Sequence, residues 1–374
     1  MLYRKMKKSG KELSILGFGC MRLPTQKDGT VDVGKAIEAI RYGIDHGINY
    51  ADTAYVYHGG ESEIVLGKAL QDGYRAKVNV ATKLPTWLVQ KREDMVRYLD
   101  EQLKKLQTDH VDFYLIHGLG EERWKQMVGL GVSDFLDDAL ADGRIRHAGF
   151  SFHDKAETFQ PIVDGYGWTF CQIQYNYMDE QYQAGTKGLK YAASKGLDVI
   201  VMEPLRGGML TRKVPEVEKL WAGAEKGRSP AGWGLRWVWN HPEVTVVLSG
   251  MSSLDQVKEN LKYAGEGRAG SLTKPELALI SKVKAAYRKR VNVDCTACEY
   301  CMPCPNGVDI PGCFGLLNNA SMYGIDESMK FVYNTYNAEG KASKCCECGE
   351  CADKCPQQIP IPEKLKEVKE LFGK

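Results

Sequence analysis

The sequence has no long hydrophobic run and no excess of either charge. None of its windows approaches the roughly 18 uninterrupted apolar residues that a membrane-spanning helix requires. The basic segment 1–8 is not followed by the apolar stretch of a signal peptide. Lys and Arg number 50 against 48 Asp and Glu, so charge gives no reason to expect binding to nucleic acid or to an anionic membrane. We therefore expect a cytoplasmic protein with no nucleic-acid partner and no membrane association.

Cysteine is scarce over most of the chain and abundant only in its last part. Of the 12 cysteines, only Cys20 and Cys171 precede residue 290, and the others lie between Cys295 and Cys355. Clustered thiols in a reducing compartment are typical of metal ligands rather than of a disulfide scaffold. This change, in a chain of 374 residues, predicts a large domain over 1–270, a linker helix within 271–290 and a small domain over 291–374.

The large domain also lacks the Gly-x-Gly-x-x-Gly turn that a doubly wound dinucleotide-binding sheet normally carries after its first strand. Instead, short β-branched runs alternate with segments of helical apolar spacing, which favours a parallel sheet. Eight strands in about 250 residues match an α/β fold, the (β/α)8 TIM barrel. The predicted strands are Leu13–Gly17, Asn49–Thr53, Val78–Thr82, Val111–His117, His147–Ser151, Cys171–Gln174, Asp198–Met202 and Thr245–Ser249. The predicted helices include Gly34–His46, Glu93–Leu106, Phe135–Asp142 and Gln183–Lys195.

Two cysteine runs in the small domain have the spacing of iron–sulfur ligands. The second run reads C-x2-C-x2-C-x3-C-P, as in bacterial ferredoxins, in which the fourth thiolate binds the other cluster. The first run is one residue shorter before its last cysteine, and the stretch Pro311–Tyr336 between the runs is mildly helical. We expect a mainly helical, ferredoxin-like domain. The candidate ligands are Cys295, Cys298, Cys301, Cys304, Cys345, Cys348, Cys351 and Cys355.

Eight ligands are enough for two [4Fe–4S] clusters. Crossed ligation assigns one cluster to Cys295, Cys298, Cys301 and Cys355, and the other to Cys304, Cys345, Cys348 and Cys351. Structural zinc is the alternative, because paired C-x2-C motifs also form zinc ribbons. Cys313 and Cys346 are spare thiols in this assignment, although Cys346 could replace Cys345 in another register.

Four polar residues fall at or just beyond the ends of successive predicted barrel strands, where barrel enzymes place their chemistry. Asp52 ends the second strand and Tyr57 follows it by five residues, while Lys83 and His117 end the third and fourth. Alone, each has a structural explanation, such as helix capping or packing. Together they form an acid for carbonyl reduction. Tyr57 would donate the proton, the Lys83 ammonium would lower the pKa of Tyr57, Asp52 would orient Lys83, and His117 would orient the substrate oxygen.

Because of these four residues and the motifs around them, the segment from residue 1 to about 265 resembles an aldo/keto reductase. The matching motifs are Asp52-x4-Tyr57, Glu61-Ser62-Glu63-x-x-Leu66-Gly67, Gly149-Phe150-Ser151, Gln172-Ile173-Gln174-Tyr175-Asn176 and Glu259-Asn260. The whole chain resembles the branch of that family with a C-terminal 4Fe–4S dicluster domain. Its runs are followed by the family's Cys-Pro-x-Gly-Val-Asp-Ile-Pro and Cys-Pro-Gln-Gln-Ile-Pro-Ile sequences at 304–311 and 355–361.

The resemblance implies a nicotinamide dinucleotide, NADPH or NADH, extended across the barrel mouth. It places the carboxamide at Ser151 and Gln172 and the adenosine near Gln256, Glu259 and Asn260. The pyrophosphate lies over the loops after strands seven and eight, the usual phosphate site of such barrels. The corresponding residues are Glu203, Leu205, Arg206, Gly207, Ser249, Gly250, Met251 and Ser252.

Three positions depart from the family pattern. Phe152 replaces the asparagine that usually follows Ser151, and Met202 replaces an aromatic residue that often stacks on the nicotinamide. The basic residues that many NADPH-specific members use for the 2′-phosphate align with Gly250 and Gln256, and Arg206 could compensate. The resemblance therefore does not decide between NADPH and NADH as the cofactor. It is also consistent with a family member in which cofactor binding is weakened.

Hydride transfer moves two electrons, whereas each cluster passes one. Three functions are consistent with this mismatch. The first is an NAD(P)H-dependent oxidoreductase for a small carbonyl or alcohol substrate, with a structural or regulatory cluster domain. In the second, a flavin at the barrel mouth or on a redox partner protein connects two-electron and one-electron steps. The third is an electron carrier or redox-sensing module on a barrel scaffold. We favour the first for the chemistry, with the second as the alternative.

Overall fold

A computed structural model of the chain describes residues 1–224, 227–335 and 337–373. It divides into two compact units, Met1–Gly208 with Arg228–Thr273, and Met209–Gly227 with Lys274–Lys374. Two residues at the ends of predicted segments, Tyr336 and Lys374, lie outside the described residues. No helix in the described part of the chain is long and apolar enough to cross a membrane.

The first unit is built on a closed parallel barrel. Its strands pair in the order β10-β3-β4-β5-β6-β7-β8-β9, and β9 pairs with β10 to close the ring. The (β/α)8 prediction is therefore confirmed. The strands of this unit are β1 (Tyr3–Lys5), β2 (Glu12–Ser14), β3 (Leu16–Gly19), β4 (Tyr50–Asp52), β5 (Asn79–Leu84), β6 (Val111–Leu119), β7 (Ile145–Phe152), β8 (Phe170–Gln174), β9 (Asp198–Met202) and β10 (Val244–Ser249).

Helices follow the barrel strands, as the alternating sequence pattern predicts. Those of the first unit are α1 (Val33–Asp45), α2 (Ser62–Ala69), α3 (Arg92–Leu106), α4 (Glu121–Gly129), α5 (Val132–Ala141), α6 (Ala156–Asp164), α7 (Gly185–Ser194), α9 (Pro230–Trp239) and α10 (Leu254–Ala264). The barrel interior is a packed apolar core rather than a pore, with Tyr50, Phe113 and Phe170 among its fully buried side chains.

The predicted first strand, Leu13–Gly17, is wrong in its bounds, because the chain forms an additional hairpin there. β1 pairs antiparallel with β2, and β3 begins only at Leu16. The hairpin turns at Gly10, which has a φ of +71° that an L side chain rarely adopts. Met6 and Leu13 from the hairpin pack into the barrel core, so the hairpin closes the N-terminal end of the barrel.

The second unit is helical apart from the cysteine loops. Its helices are α8 (Pro215–Ala222), α11 (Lys274–Arg288), α12 (Ile310–Tyr323), α13 (Glu327–Thr335), α14 (Glu350–Asp353) and α15 (Ile361–Phe372). Phe314 and Leu317 of α12 and Leu365 and Val368 of α15 are buried, and these two helices pack together. α8 packs on α11, and the Arg212 guanidinium donates to the Gly324 carbonyl at 2.6 Å. Segment 209–227 thus belongs to this unit, although it lies within the sequence predicted as barrel.

Candidate active site and cysteine cavities

Three neighbouring barrel strands carry the predicted catalytic residues to one mouth. Asp52 is the last residue of β4, and Lys83 and His117 lie near the C-terminal ends of β5 and β6. Tyr57 begins a short 3-10 helix in the loop after β4. Because β4, β5 and β6 are adjacent and parallel, their C-terminal ends meet at the same edge.

The Lys83 ammonium is the centre of this group. Its Nζ lies 2.6 Å from Asp52 Oδ1 and 2.7 Å from the Thr53 carbonyl oxygen, and it reaches the Tyr57 hydroxyl at 3.4 Å. Lys83 is 1% exposed and Asp52 3%. A buried ammonium with an ion-pair partner and two further acceptors is fixed in position, so its charge is directed at the phenol oxygen.

Burial changes the ionisation of all three groups. It would lower the pKa of Lys83, but Asp52 and Tyr57 outweigh it and raise that pKa. Burial raises the pKa of Asp52, although Lys83 opposes this. It also raises the pKa of Tyr57 more than Lys83 lowers it. The sequence-based expectation of a lowered Tyr57 pKa is therefore wrong in sign: Lys83 acts in the expected direction, but desolvation is the larger effect.

His117 faces the same site as a neutral imidazole. Its ring centroid lies 6.1 Å from that of Tyr57 in an edge-on arrangement and 5.0 Å from that of Trp87. Burial, followed by the positive charge of Lys83, holds its pKa well below the usual value of 6.5. Its Nδ1 has no hydrogen-bond partner among the described residues. A neutral ring with an unpartnered nitrogen can hydrogen-bond a substrate oxygen.

A buried polar network supports the Lys83 strand from behind. Gln102 of α3 donates to Glu63 at 2.8 Å and to the Lys83 carbonyl at 2.9 Å, and Thr82 donates to Glu63 at 2.6 Å. The Tyr114 hydroxyl donates to Gln102 Oε1 at 2.9 Å. Glu63 lies in the Glu-Ser-Glu motif of the sequence, but no pattern in the sequence pointed to Gln102.

In the second unit, the cysteines of the two runs line two cavities. The cysteines that line each cavity come from both runs. Among the described residues, no three potential ligands lie close enough together to hold a single metal ion. The first cavity is lined by Cys295, Cys298, Cys301 and Cys355. The second is lined by Cys301, Cys304, Cys345, Cys346, Cys348 and Cys351, so Cys301 borders both cavities. The Cys355 thiol is close enough to Cys295 to contribute, after burial, to raising its pKa.

The two runs begin with the same local structure. Ala297 donates its backbone N–H to the Cys295 sulfur at 3.4 Å, and Glu347 donates to Cys345 at 3.4 Å. Both donors have positive φ, 53° and 62°, which turns their N–H groups toward the sulfur. Cys345 is therefore the structural counterpart of Cys295. Cys346 is exposed and accepts from Asn306 at 2.8 Å.

Comparison with known proteins identifies both parts of the chain. Residues 15–283 match the model of the aldo/keto reductase family, and 294–359 match that of the 4Fe-4S dicluster domain. The chain belongs to the aldo/keto reductase family. It is an oxidoreductase of that family with a 4Fe–4S dicluster domain.

Known aldo/keto reductases align with most of this chain. Methylglyoxal reductase YeaE of Escherichia coli (strain K12) is 26% identical over 294 residues, covering 74% of this chain and 96% of that protein. Aldo-keto reductase AKR11C1 from Bacillus halodurans (holo form) superimposes with a TM-score of 0.64 at 26% identity, covering 76% and 96% of the two chains. An aldo-keto reductase from Klebsiella pneumoniae in complex with NADPH gives a TM-score of 0.63 at 23% identity, covering 76% and 96%; at that identity the likeness shows the fold alone.

In this aldo/keto reductase, the two residues predicted to hold the carboxamide sit side by side. Ser151 of β7 and Gln172 of β8 are paired in register, and both are buried. Ser151 Oγ accepts from the Gly118 N–H at 2.8 Å. Gln172 Oε1 has no hydrogen-bond partner among the described residues, so this oxygen can accept a hydrogen bond from an amide.

The loop after β9 holds the predicted Glu203, Leu205, Arg206 and Gly207. Glu203, Arg206 and Gly207 all have positive φ, between 51° and 64°. Arg206 lies 3.1 Å from Asp179, so its charge is already paired within the reductase barrel. A 2′-phosphate would have to compete with Asp179 for it.

The residues predicted around the adenosine fall at the start of α10. Ser253 caps this helix by accepting from the Gln256 N–H at 3.3 Å, and Gln256 Oε1 accepts from Ser252 at 2.9 Å. Asn260 is buried and donates to Ser249 at 3.0 Å. Gly250 and Met251 complete the loop, and Glu259 lies half-buried on α10. Gln256 and Asn260 therefore shape this loop through contacts of their own.

Proposed function

We propose that the barrel catalyses NAD(P)H-dependent reduction of a small aldehyde or ketone, or the reverse alcohol oxidation, with Tyr57 as general acid. The observation that supports this most is the buried Lys83 ammonium between the Asp52 carboxylate and the Tyr57 hydroxyl. A phenol beside a fixed cation, at the C-terminal mouth of a barrel, is suited to protonate an oxygen on which negative charge develops.

A reduced nicotinamide, when bound, supplies the hydride. The Tyr57 hydroxyl donates its proton to the carbonyl oxygen, and Lys83 stabilises the phenolate that remains. Asp52 balances the charge of Lys83 and keeps its Nζ oriented. His117 donates a hydrogen bond to the same oxygen and so holds the carbonyl in line with Tyr57. The raised pKa of Tyr57 keeps its proton in place until the substrate oxygen becomes basic.

For the cofactor we propose either NADPH or NADH, in an extended position across the mouth. Ser151 and Gln172 would bind the carboxamide, supported by the unpartnered Gln172 Oε1. The loops after β9 and β10 would hold the pyrophosphate, and the start of α10 the adenosine. The pairing of Arg206 with Asp179 gives no preference for a 2′-phosphate.

Replacing Tyr57 tests the catalytic proposal. Tyr57→Phe removes the proton donor and keeps the ring, so kcat/KM for reduction of any accepted aldehyde should fall by about 100- to 10,000-fold. Tyr55→Phe is the matched control, because the Tyr55 hydroxyl donates to Glu101 at 2.7 Å and takes no part in the tetrad. Reduction that survives Tyr57→Phe would refute the tetrad mechanism.

We propose that the second unit binds two [4Fe–4S] clusters with crossed ligation. One cavity is lined by three cysteines of the first run and the last cysteine of the second run. The other is lined by Cys304, the last cysteine of the first run, with four cysteines of the second run and Cys301, so both cavities are consistent with the ligand exchange of two-cluster ferredoxins. Anaerobic purification should then yield about eight irons and eight sulfides per chain. Two variants, Cys345→Ser and Cys346→Ser, show which of these cysteines is the cluster ligand. Cys345→Ser should lower the iron content and Cys346→Ser should not. Zinc in place of iron would refute the assignment.

A second function is electron transfer linked through a flavin or a redox partner protein. It is favoured by the two cysteine-lined cavities, because one-electron clusters have no direct role in hydride transfer. Anaerobic mixing with NADPH separates the candidates. Bleaching of the visible cluster absorbance at the rate of turnover, together with an extractable flavin, would support the second function. Carbonyl turnover without bleaching and without flavin would support the first.

A further inference from the structure

We propose that Arg22 is a cofactor-binding residue whose guanidinium binds the pyrophosphate of the dinucleotide between the loops after β9 and β10. Arg22 ends the short 3-10 helix Cys20–Arg22 that follows β3. Neither its charge nor its spacing singled it out in the sequence. The inference rests on the proposed NAD(P)H-dependent function and adds a residue to it.

The closure of the barrel brings Arg22 to these loops. β10 pairs with β3 on one side and with β9 on the other, so the loop after β3 borders those after β9 and β10. In the barrel these are the loops after strands one, seven and eight. Loops after strands seven and eight are the frequent phosphate site of this fold, because their backbone N–H groups point into the mouth.

Two glycines make room for the arginine. The Arg22 stem lies against Gly250, where a Cβ would come within 3.1 Å of the stem. Its Nη2 reaches Gly207, where a Cβ would come within 3.0 Å. The side chain therefore spans from one loop to the other, and its guanidinium lies on the loop after β9. A larger residue at either glycine would displace it.

The charge of Arg22 is available to a ligand. The side chain is exposed, and it forms no ion pair with any residue that the structure describes. Arg206, the other arginine at this loop, is paired with Asp179. Glu203 is an acidic neighbour, since the charges of Arg206 and Arg22 both act on its carboxyl, but Arg22 forms no ion pair with it. An exposed guanidinium over glycine-rich loops binds a diphosphate through two or more charge-assisted hydrogen bonds.

Equilibrium binding to the full, cluster-loaded chain tests this inference. The probes are NADPH and NADH, followed by the fluorescence of the reduced nicotinamide under anaerobic conditions. Arg22→Met keeps the stem and removes the charge, and it should raise Kd for both dinucleotides by a similar factor, about 10- to 100-fold. The dependence of Kd on salt should also become weaker. Arg22→Lys should lie between wild type and Arg22→Met.

Arg146→Ala is the control, since it removes an exposed arginine near the start of β7, at the opposite end of the barrel. Its Kd should equal that of wild type. If wild type and Arg22→Met bind the dinucleotides with equal Kd, the inference is wrong and the proposed function still stands. If Arg22→Met weakens the binding of NADPH but not of NADH, Arg22 binds the 2′-phosphate, and its assignment to the pyrophosphate is wrong. A wild-type protein that binds neither dinucleotide would overturn the proposed function and this inference together.

Discussion

At the scale of single residues, burial and charge act against each other at the barrel mouth. Desolvation favours the neutral phenol of Tyr57, while Lys83 at 3.4 Å favours the phenolate. A general acid needs both conditions in turn, a proton held before the reaction and a stabilised base afterwards. At this site, burial holds the proton on Tyr57, and the fixed Lys83 ammonium stabilises the phenolate.

These shifts predict the pH dependence of carbonyl reduction. As the proposed general acid, Tyr57 must be protonated to act, and its pKa lies above the ordinary value of 10, so the acid form persists through neutral pH. His117 is neutral because its pKa lies well below 6.5, so it adds no titration in that range. We expect kcat/KM for reduction to stay level from about pH 6 to about pH 9. A steady-state profile measured with one aldehyde checks this. A break near pH 6.5 that His117→Gln abolishes would contradict it.

The sequence predicted which side chains lie together at the barrel mouth better than it predicted their interactions. Asp52, Lys83 and His117 could be brought together from the sequence because each lies at the end of a predicted barrel strand. Arg206 was expected to meet a phosphate but is paired with Asp179, a residue on another loop. Gln102 and Arg22 could not be found, because their roles depend on which strand or helix lies beside them in the closed barrel.

At the scale of elements, helix α3 holds strand β5 through Gln102. This side chain is fully buried, and its amide group contacts Glu63, Thr82 and the Lys83 carbonyl. A buried side chain that is hydrogen-bonded to several neighbours fixes their relative positions. The network thus connects packing between α3 and β5 to the position of Lys83.

Removing this network should destabilise the barrel. Gln102→Leu is similar in size but removes one of the donors to Glu63, the Gln102 donor to the Lys83 carbonyl and the acceptor of the Tyr114 hydroxyl, so we expect a loss of about 2–3 kcal/mol in the free energy of unfolding. Lys104→Leu changes an exposed residue of the same helix and should alter it by less than about 0.5 kcal/mol. Urea unfolding followed by tryptophan fluorescence measures the difference. Equal stability of the two variants would show that the network contributes nothing.

The sequence indicated the barrel strands because short apolar runs, many of them β-branched, alternate with segments of helical spacing. The predicted bounds of Asp198–Met202 agree with β9, and the other strands after the first differ by at most two residues at each end. The N-terminal hairpin escaped prediction because β1 and β2 have only three residues each and lack a regular apolar alternation. The grouping of 209–227 with the second unit also escaped it, since contacts such as Arg212 with Gly324 join residues far apart in the chain.

At the scale of the whole molecule, the two units differ in what would hold them together. The barrel has a continuous apolar core and a closed hydrogen-bonded sheet. In the second unit, α12 and α15 share an apolar core, but the cysteine loops before α12 and before α14 have almost no regular secondary structure. In the proposed holoprotein, bonds from thiolate to iron would order these loops in place of backbone hydrogen bonds.

Iron removal should therefore loosen the cysteine loops and leave the barrel intact. Hydrogen–deuterium exchange on the anaerobic holoprotein, before and after chelation of the iron, compares the two units in one sample. We expect peptides over 292–309 and 343–356 to lose protection, because their fold depends on the clusters. Peptides over β5 and β6 serve as the internal control and should keep theirs, since their hydrogen bonds lie within the barrel sheet. Cysteine loops that stay protected without iron would mean that the apolar core of the second unit orders them, and the clusters would then serve electron transfer alone.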